Sequence, residues 1–117
     1  MREIKFKAYL KKENKIVDVD TIDFTGKFIT YKGQTEEKVY RFEDIELMQF
    51  VGILDKNKEK IYEGDLISFK GGSYVVKYFS QYGRFALSDN IEDDSFPMVI
   101  GNPSEYQVVG NIYEDQI

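Results

Sequence analysis

The stretch 46-ELMQFVGILDKNKEKIYEGDLISF-69 decides how this chain folds. Leu47 to Ile53 reads as a strand, and Gly52 inside it marks a bulge or a close backbone approach. Residues 55–60, DKNKEK, form a charged hairpin connection, and DLISFK resumes a strand. Between them stands Ile61-Tyr62-Glu63-Gly64-Asp65, which either holds chemistry or turns a corner. Ile61 suits a core anchor. Gly64 takes the left-handed conformation without a Cβ clash. Asp65 reaches nearby backbone amides through its short carboxylate. The corner accounts for every residue, and such Gly-Asp steps recur at strand entries of small barrels.

The metal reading of the same stretch fails. Asp55-Lys56-Asn57-Lys58-Glu59 opens like a calcium loop, but Lys60 stands where the turn needs Gly and Leu66 where a bidentate Glu is needed. Asp18, Asp20 and Asp23 converge only if their strand bends, and otherwise make a solvated edge.

Outward from the corner the pattern stays β. In the N-terminal REIKFKAYL, Ile4, Phe6, Ala8 and Leu10 point one way and Glu3, Lys5, Lys7 and Tyr9 the other. IVDVDTIDF loses its alternation near Thr21, which predicts a bend or bulge. Thr25-Gly26 is a turn before KFITYK, and VYRF is a further strand. FEDIELM has room for one helical turn, too short for a full helix. Gly71-Gly72 predicts a two-residue hairpin between DLISFK and SYVVKYF. Gly83 turns the chain into RFALS, and EYQVVGNIYE is the last strand. Gln49-Phe50-Val51-Gly52 echoes Gln107-Val108-Val109-Gly110, either by coincidence or because two neighbouring strands meet one steric demand.

SYVVKYF is apolar on both faces, with Tyr74, Val76 and Tyr78 on one and Val75, Lys77 and Phe79 on the other. A sheet with one wet face alternates more cleanly, so something covers the second face, most simply the N-terminal hairpin. The expected architecture is all-β, with an N-terminal β region (1–46) packed on a C-terminal SH3-like barrel (47–117) as one compact unit.

Composition limits the chemistry. The chain has 117 residues, enough for one domain, and its 15% aromatic content is all Phe and Tyr. It has no Cys, so no disulfide and no thiolate zinc site. It has no His, the commonest general base and metal ligand. Net charge is −5 and unevenly spread: residues 1–15 are basic, and no Lys or Arg follows Ser88. That acidity favours solubility, or an acidic surface that meets a basic partner or imitates nucleic acid. No apolar run has membrane-spanning length, and the N-terminus lacks a signal-peptide core, so a cytoplasmic protein is expected.

Three signatures in order, MREIKFKAYL, FEDIELMQFVGILDKNKEKIYEGDLISF and VVGNIYED, resemble the YopX family of phage and prophage proteins. The family opening usually runs Ile-Lys-Phe-Arg-Ala-Trp; here Lys7 and Tyr9 differ. Its hairpin usually reads Asp-Lys-Asn-Gly; here Lys58 replaces Gly, which leaves Asn57 as the candidate for positive φ. The resemblance implies a mostly β protein with an SH3-like element, carried on a mobile element and acting in a bacterial cytoplasm. It supplies no activity and no catalytic residues.

Three functions compete. The first is a non-enzymatic module that binds a protein or itself through strand edges or Tyr-rich faces. The second is single-stranded nucleic-acid binding by Tyr74, Tyr78, Tyr82, Lys77 and Arg84. The third, an enzyme, rests only on Asp89, Glu92, Asp93 and Asp94 in the longest loop, which also suit a solvated segment or a cation. The first is expected, with Tyr74, Tyr78, Tyr82, Lys77 and Arg84 as its surface and no catalytic, cofactor or metal residue. Gly64, Asp65, Gly71 and Gly72 are assigned to turns.

Overall fold

The structure is a computed structural model, and it describes residues 3–89 and 98–114. Among them every regular element is a strand or a single 3-10 turn. β1 (Phe6–Leu10) turns back into β2 (Lys15–Asp18), with Asn14 at φ 52°. Ile4 lies ahead of β1 and is exposed rather than part of the apolar face. Val19 and Asp20 then carry the chain from one sheet to another. The Val19 amide donates to the Phe6 carbonyl, and the Asp20 amide donates to Thr30 on the second sheet. The lost alternation near Thr21 is this change of sheet.

β3 (Thr21–Asp23), β4 (Phe28–Lys32) and β5 (Glu37–Arg41) form an antiparallel three-stranded sheet in that order. A 3-10 turn, Phe42–Asp44, occupies the place foreseen for a helical turn. It leads into β6 (Ile45–Leu54), the spine of the molecule. The first half of β6 pairs with β1, from Leu10↔Ile45 to Phe6↔Gln49. Its second half pairs with β7 (Lys60–Tyr62). The 46/47 boundary therefore runs through one continuous strand. Gly52 sits at the register shift of β6 with φ 96° and open space around it. It is a bulge, not a close backbone approach.

β8 (Asp65–Phe69), β9 (Gly72–Phe79), β10 (Arg84–Ser88) and β11 (Gln107–Asn111) complete the fold as a sheet in the order β10-β9-β8-β11. The β8–β9 loop is Lys70-Gly71, at φ 48° and 79°, one residue earlier than Gly71-Gly72. Both loop positions of this turn need positive φ, which Lys70 and Gly71 supply. Gly72 is the first residue of β9, and its bare Cα leaves room for the Tyr74 hydroxyl, 2.9 Å from where a Cβ would lie. Positive φ in the 55–60 hairpin likewise falls on Lys58 (65°), not Asn57. Gly110 also stands at a register shift, but β11 pairs with β8 while β6 pairs with β1 and β7. The two echoed segments are therefore not ladder neighbours.

The core has three parts. Ala8, Leu10, Ile29, Tyr31 and Ile45 fill the space between the first sheet and the three-stranded sheet. Ile61, Ile67, Val76, Leu87 and Tyr106 form the second part, with Val51 and Ile53 of β6 against them. Met48, Phe50 and Tyr62 join the two. Each fully buried side chain of this size contributes about 1.5–3 kcal/mol. Val51 and Ile53 of β6 and Ile61 of β7 pack with Val76 of β9, and Val75 and Phe79 on the opposite face of β9 are buried as well. The hairpin spends its apolar side chains on the first and third parts.

The Glu63-Gly64-Asp65 step is where these strands are tied. The Glu63 amide donates to Gln49, the Gly64 amide donates to Val76, and the Gly64 carbonyl accepts from Ile112. The Asp65 Oδ2 accepts from the Tyr62 amide at 2.8 Å and closes the turn. Gly64 has φ 90°, which favours glycine.

Candidate interaction surfaces

The β9–β10 hairpin carries the residues expected to form a surface, and the strands divide them. Tyr74 and Tyr78 alternate onto the face of Val76, whereas Lys77 lies on the opposite face with Val75 and Phe79. Tyr74 packs with the second core group and meets the Phe69 ring at 6.5 Å. Tyr78 is half-exposed, edge-on to Phe85 at 5.3 Å. Tyr82 and Arg84 are brought together at the hairpin tip, the guanidinium 5.4 Å from the ring centre. Arg84 is opposite Phe79 in register, so both cations belong to the face away from Tyr74 and Tyr78. Asp89 is exposed, while Glu92, Asp93 and Asp94 lie outside the described residues.

Two carboxylates, Asp55 and Asp65, are buried. Asp55 is 3% exposed, and its oxygens accept from the amides of Asn57, Glu59 and Val108. Burial alone pushes its carboxyl up, but those amides and the Lys56 ammonium outweigh it and hold it below its usual value. Asp65 is 7% exposed and borders a cleft of about 280 Å³, with Lys7, Lys60 and Asn111 among the lining residues. Burial pushes its carboxyl up to about 6, against the Tyr62 amide and the Lys7 charge, and Asp55 adds to the rise.

The sign for Asp65 follows from linkage. Its folded value lies above the unfolded 3.8, so the folded state binds the proton more tightly between about pH 6 and 4. The stabilisation is full below the unfolded value and lost as pH rises through the folded one. Ionised Asp65 thus weakens the fold at neutral pH by up to about 3 kcal/mol. Asp65→Asn keeps an acceptor for Tyr62 without the charge. It is expected to raise stability at pH 7.5 by about 1–3 kcal/mol and to flatten the profile between pH 7 and 4. Parallel denaturation profiles for the two proteins over that range would refute the assignment.

Asp18 and Asp20 border a cleft of about 760 Å³ between β2 and β4, together with Lys15, Lys32 and Lys38. Asp23 does not join them; it caps its own turn by accepting from the Gly26 amide. Among the described residues no group of three carboxylates is placed to hold a metal ion. No helix among them is long and apolar enough to cross a membrane.

The three-stranded sheet presents an outer face that the sequence patterning does not single out. Ile29, Tyr31 and Tyr40 alternate inward to the first core group, so Phe28, Thr30, Glu37, Val39 and Arg41 share the other face. Val39 is 61% exposed and Phe24, in the β3–β4 loop, 69% exposed. Phe24 sits edge-on to Phe42 at 6.1 Å. Phe28, Val39, Phe42, Lys27 and Arg41 line a cleft of about 610 Å³ on this side. The sheet order leaves β5 as an edge. The missed signal was VYRF itself, a strand with an apolar residue on each face.

The family profile described as YopX protein matches residues 5–116. The chain belongs to the YopX family. A crystal structure of protein EF1440 from Enterococcus faecalis is similar, with TM-score 0.60 and 21% identity over 97% of this chain and 96% of that one. At that identity the likeness shows the fold alone. No curated protein matches the sequence. In this YopX-family chain Lys58 adopts the positive φ that glycine would take more readily.

Proposed function

We propose that this YopX-family chain is a non-enzymatic binding module of a phage or prophage that acts in the bacterial cytoplasm and engages a protein. The observation that carries the reading is the three-stranded sheet, with an open edge at β5 beside exposed Val39 and Phe24. An exposed edge offers main-chain hydrogen bonds to an incoming strand, and adjacent apolar side chains give it selectivity. The first core group packs against this sheet from behind, which supports the reading. The lack of His and Cys leaves few groups for acid–base or nucleophilic chemistry.

The test is affinity capture from host lysate with wild type and with Phe24→Ser/Val39→Ser, both checked for native circular dichroism. A protein enriched by wild type and lost with the double variant is expected. Equal recovery by both would remove this sheet from the reading. Salt-sensitive binding of labelled single-stranded DNA or RNA, lost on mutating Arg84 and Tyr82, would replace it with nucleic-acid recognition.

A further inference from the structure

We infer that β5 pairs with β5 of a second copy of this chain, antiparallel about a two-fold axis at Val39, to join the two three-stranded sheets. This deepens the binding reading and rests on it. The main chain comes first. In the β4–β5 ladder the bonded pairs follow a single register, including Gly33 N–H to the Glu36 carbonyl and Phe42 N–H to the Lys27 carbonyl just beyond the strands. Bonded pairs alternate, so Lys38 and Tyr40 direct their amides and carbonyls to β4. Those of Glu37, Val39 and Arg41 point away from the sheet. Among the described residues no hydrogen bond is formed by these outward groups.

The side chains supply the choice of partner. Strand β5 reads Glu37-Lys38-Val39-Tyr40-Arg41, and it is complementary to its own reverse. In an antiparallel pair centred on Val39, Glu37 lies opposite the partner's Arg41, Val39 opposite the partner's Val39, and Arg41 opposite the partner's Glu37. All three pairs use outward-facing main-chain groups, which gives about six hydrogen bonds. All three also lie on the same outer face, where opposite charges and β-branched pairs across strands are favourable. A two-fold axis needs such self-complementarity. Shifting the register by two residues brings Glu37 opposite Val39 and loses both ion pairs. Lys38 faces the partner's Tyr40 on the other side of the sheet.

The test uses the full chain and reads assembly directly, by sedimentation equilibrium up to about 1 mM protein, which reaches weak dissociation constants. Wild type is expected to show a concentration-dependent dimer. Val39→Pro removes an outward N–H and no ladder hydrogen bond, so it is expected to leave a folded monomer. Glu37→Arg alone, or Arg41→Glu alone, places like charges opposite each other twice per dimer and is expected to weaken dimerisation at least about tenfold. The combined Glu37→Arg/Arg41→Glu chain restores opposite charges and is expected to dimerise within about threefold of wild type. A monomer at every concentration overturns the inference, as does a dimer indifferent to Val39→Pro or a double variant no better than the singles. Capture of a different protein by a monomeric wild type leaves the binding reading standing and removes self-pairing.

Discussion

Replacing Asp55 with alanine is expected to lower the unfolding free energy by about 3–5 kcal/mol. Its Oδ1 accepts from the amides of Asn57 and Glu59 at 2.8 and 2.9 Å, and its Oδ2 from Val108 at 2.9 Å. Hydrogen bonds to a buried charge are the stronger kind, and alanine leaves three donors without this acceptor. Together with the Lys56 amide, which donates to Tyr106, this carboxylate fastens the β6–β7 hairpin to β11. Asparagine keeps one acceptor oxygen and turns an N–H₂ toward one of the donors, so Asp55→Asn is expected to cost about 2–3 kcal/mol. The carboxyl is held below its unfolded value, so its contribution is present above pH 3.8 and lost as pH falls through the depressed folded value. Urea denaturation at pH 7, with an unchanged m value, measures the loss. A change under about 1 kcal/mol for alanine would leave the staple without energetic content.

Gly64→Ala is the second large effect, expected at about 3 kcal/mol. Two causes add. At φ 90° any Cβ is strained, by roughly 1–2 kcal/mol. That Cβ would also stand 2.6 Å from the Tyr113 ring, which is stacked on Tyr9 at 5.6 Å and cannot withdraw without losing that contact. The causes separate in a double-mutant cycle: in a Tyr113→Ala background the glycine substitution is expected to cost about 1–2 kcal/mol less. Equal cost in both backgrounds would assign the whole effect to the backbone, and a negligible cost in both would sink the account of the corner.

Much of the fold was legible because its signals are local. The alternation in FKAYL and the glycine at the corner act within a few residues of themselves. Asp65 reaches an amide only three residues away, so a sequence window contains both partners. Turn positions were less secure, because Lys70 and Lys58 adopt positive φ without a residue type that announces it. The role of Asp55 is hidden for a different reason. Its opening Asp-x-Asn suggested a failed calcium loop, while its third partner, Val108, is 53 residues away.

The candidate surface shows the same division. Alternation put Tyr74 and Tyr78 on one face and Lys77 on the other, but nothing local separated Tyr74, which packs with the second core group, from the exposed Tyr78 and Tyr82. Nor did it say that β5 would lie at an edge.

By itself, then, the sequence determined the β class, the strand spacing, the corner at Gly64 and the scarcity of acid–base chemistry. Each follows from residue type, period two and short-range sterics. Only the tertiary structure decided which strand lies beside which: the change of sheet at Val19–Asp20, the shared spine β6 and the open edge of β5. Backbone N–H and C=O groups are the same for every strand, so pairing is chosen by the summed burial of faces far apart in the chain. That sum exists only once the chain is folded.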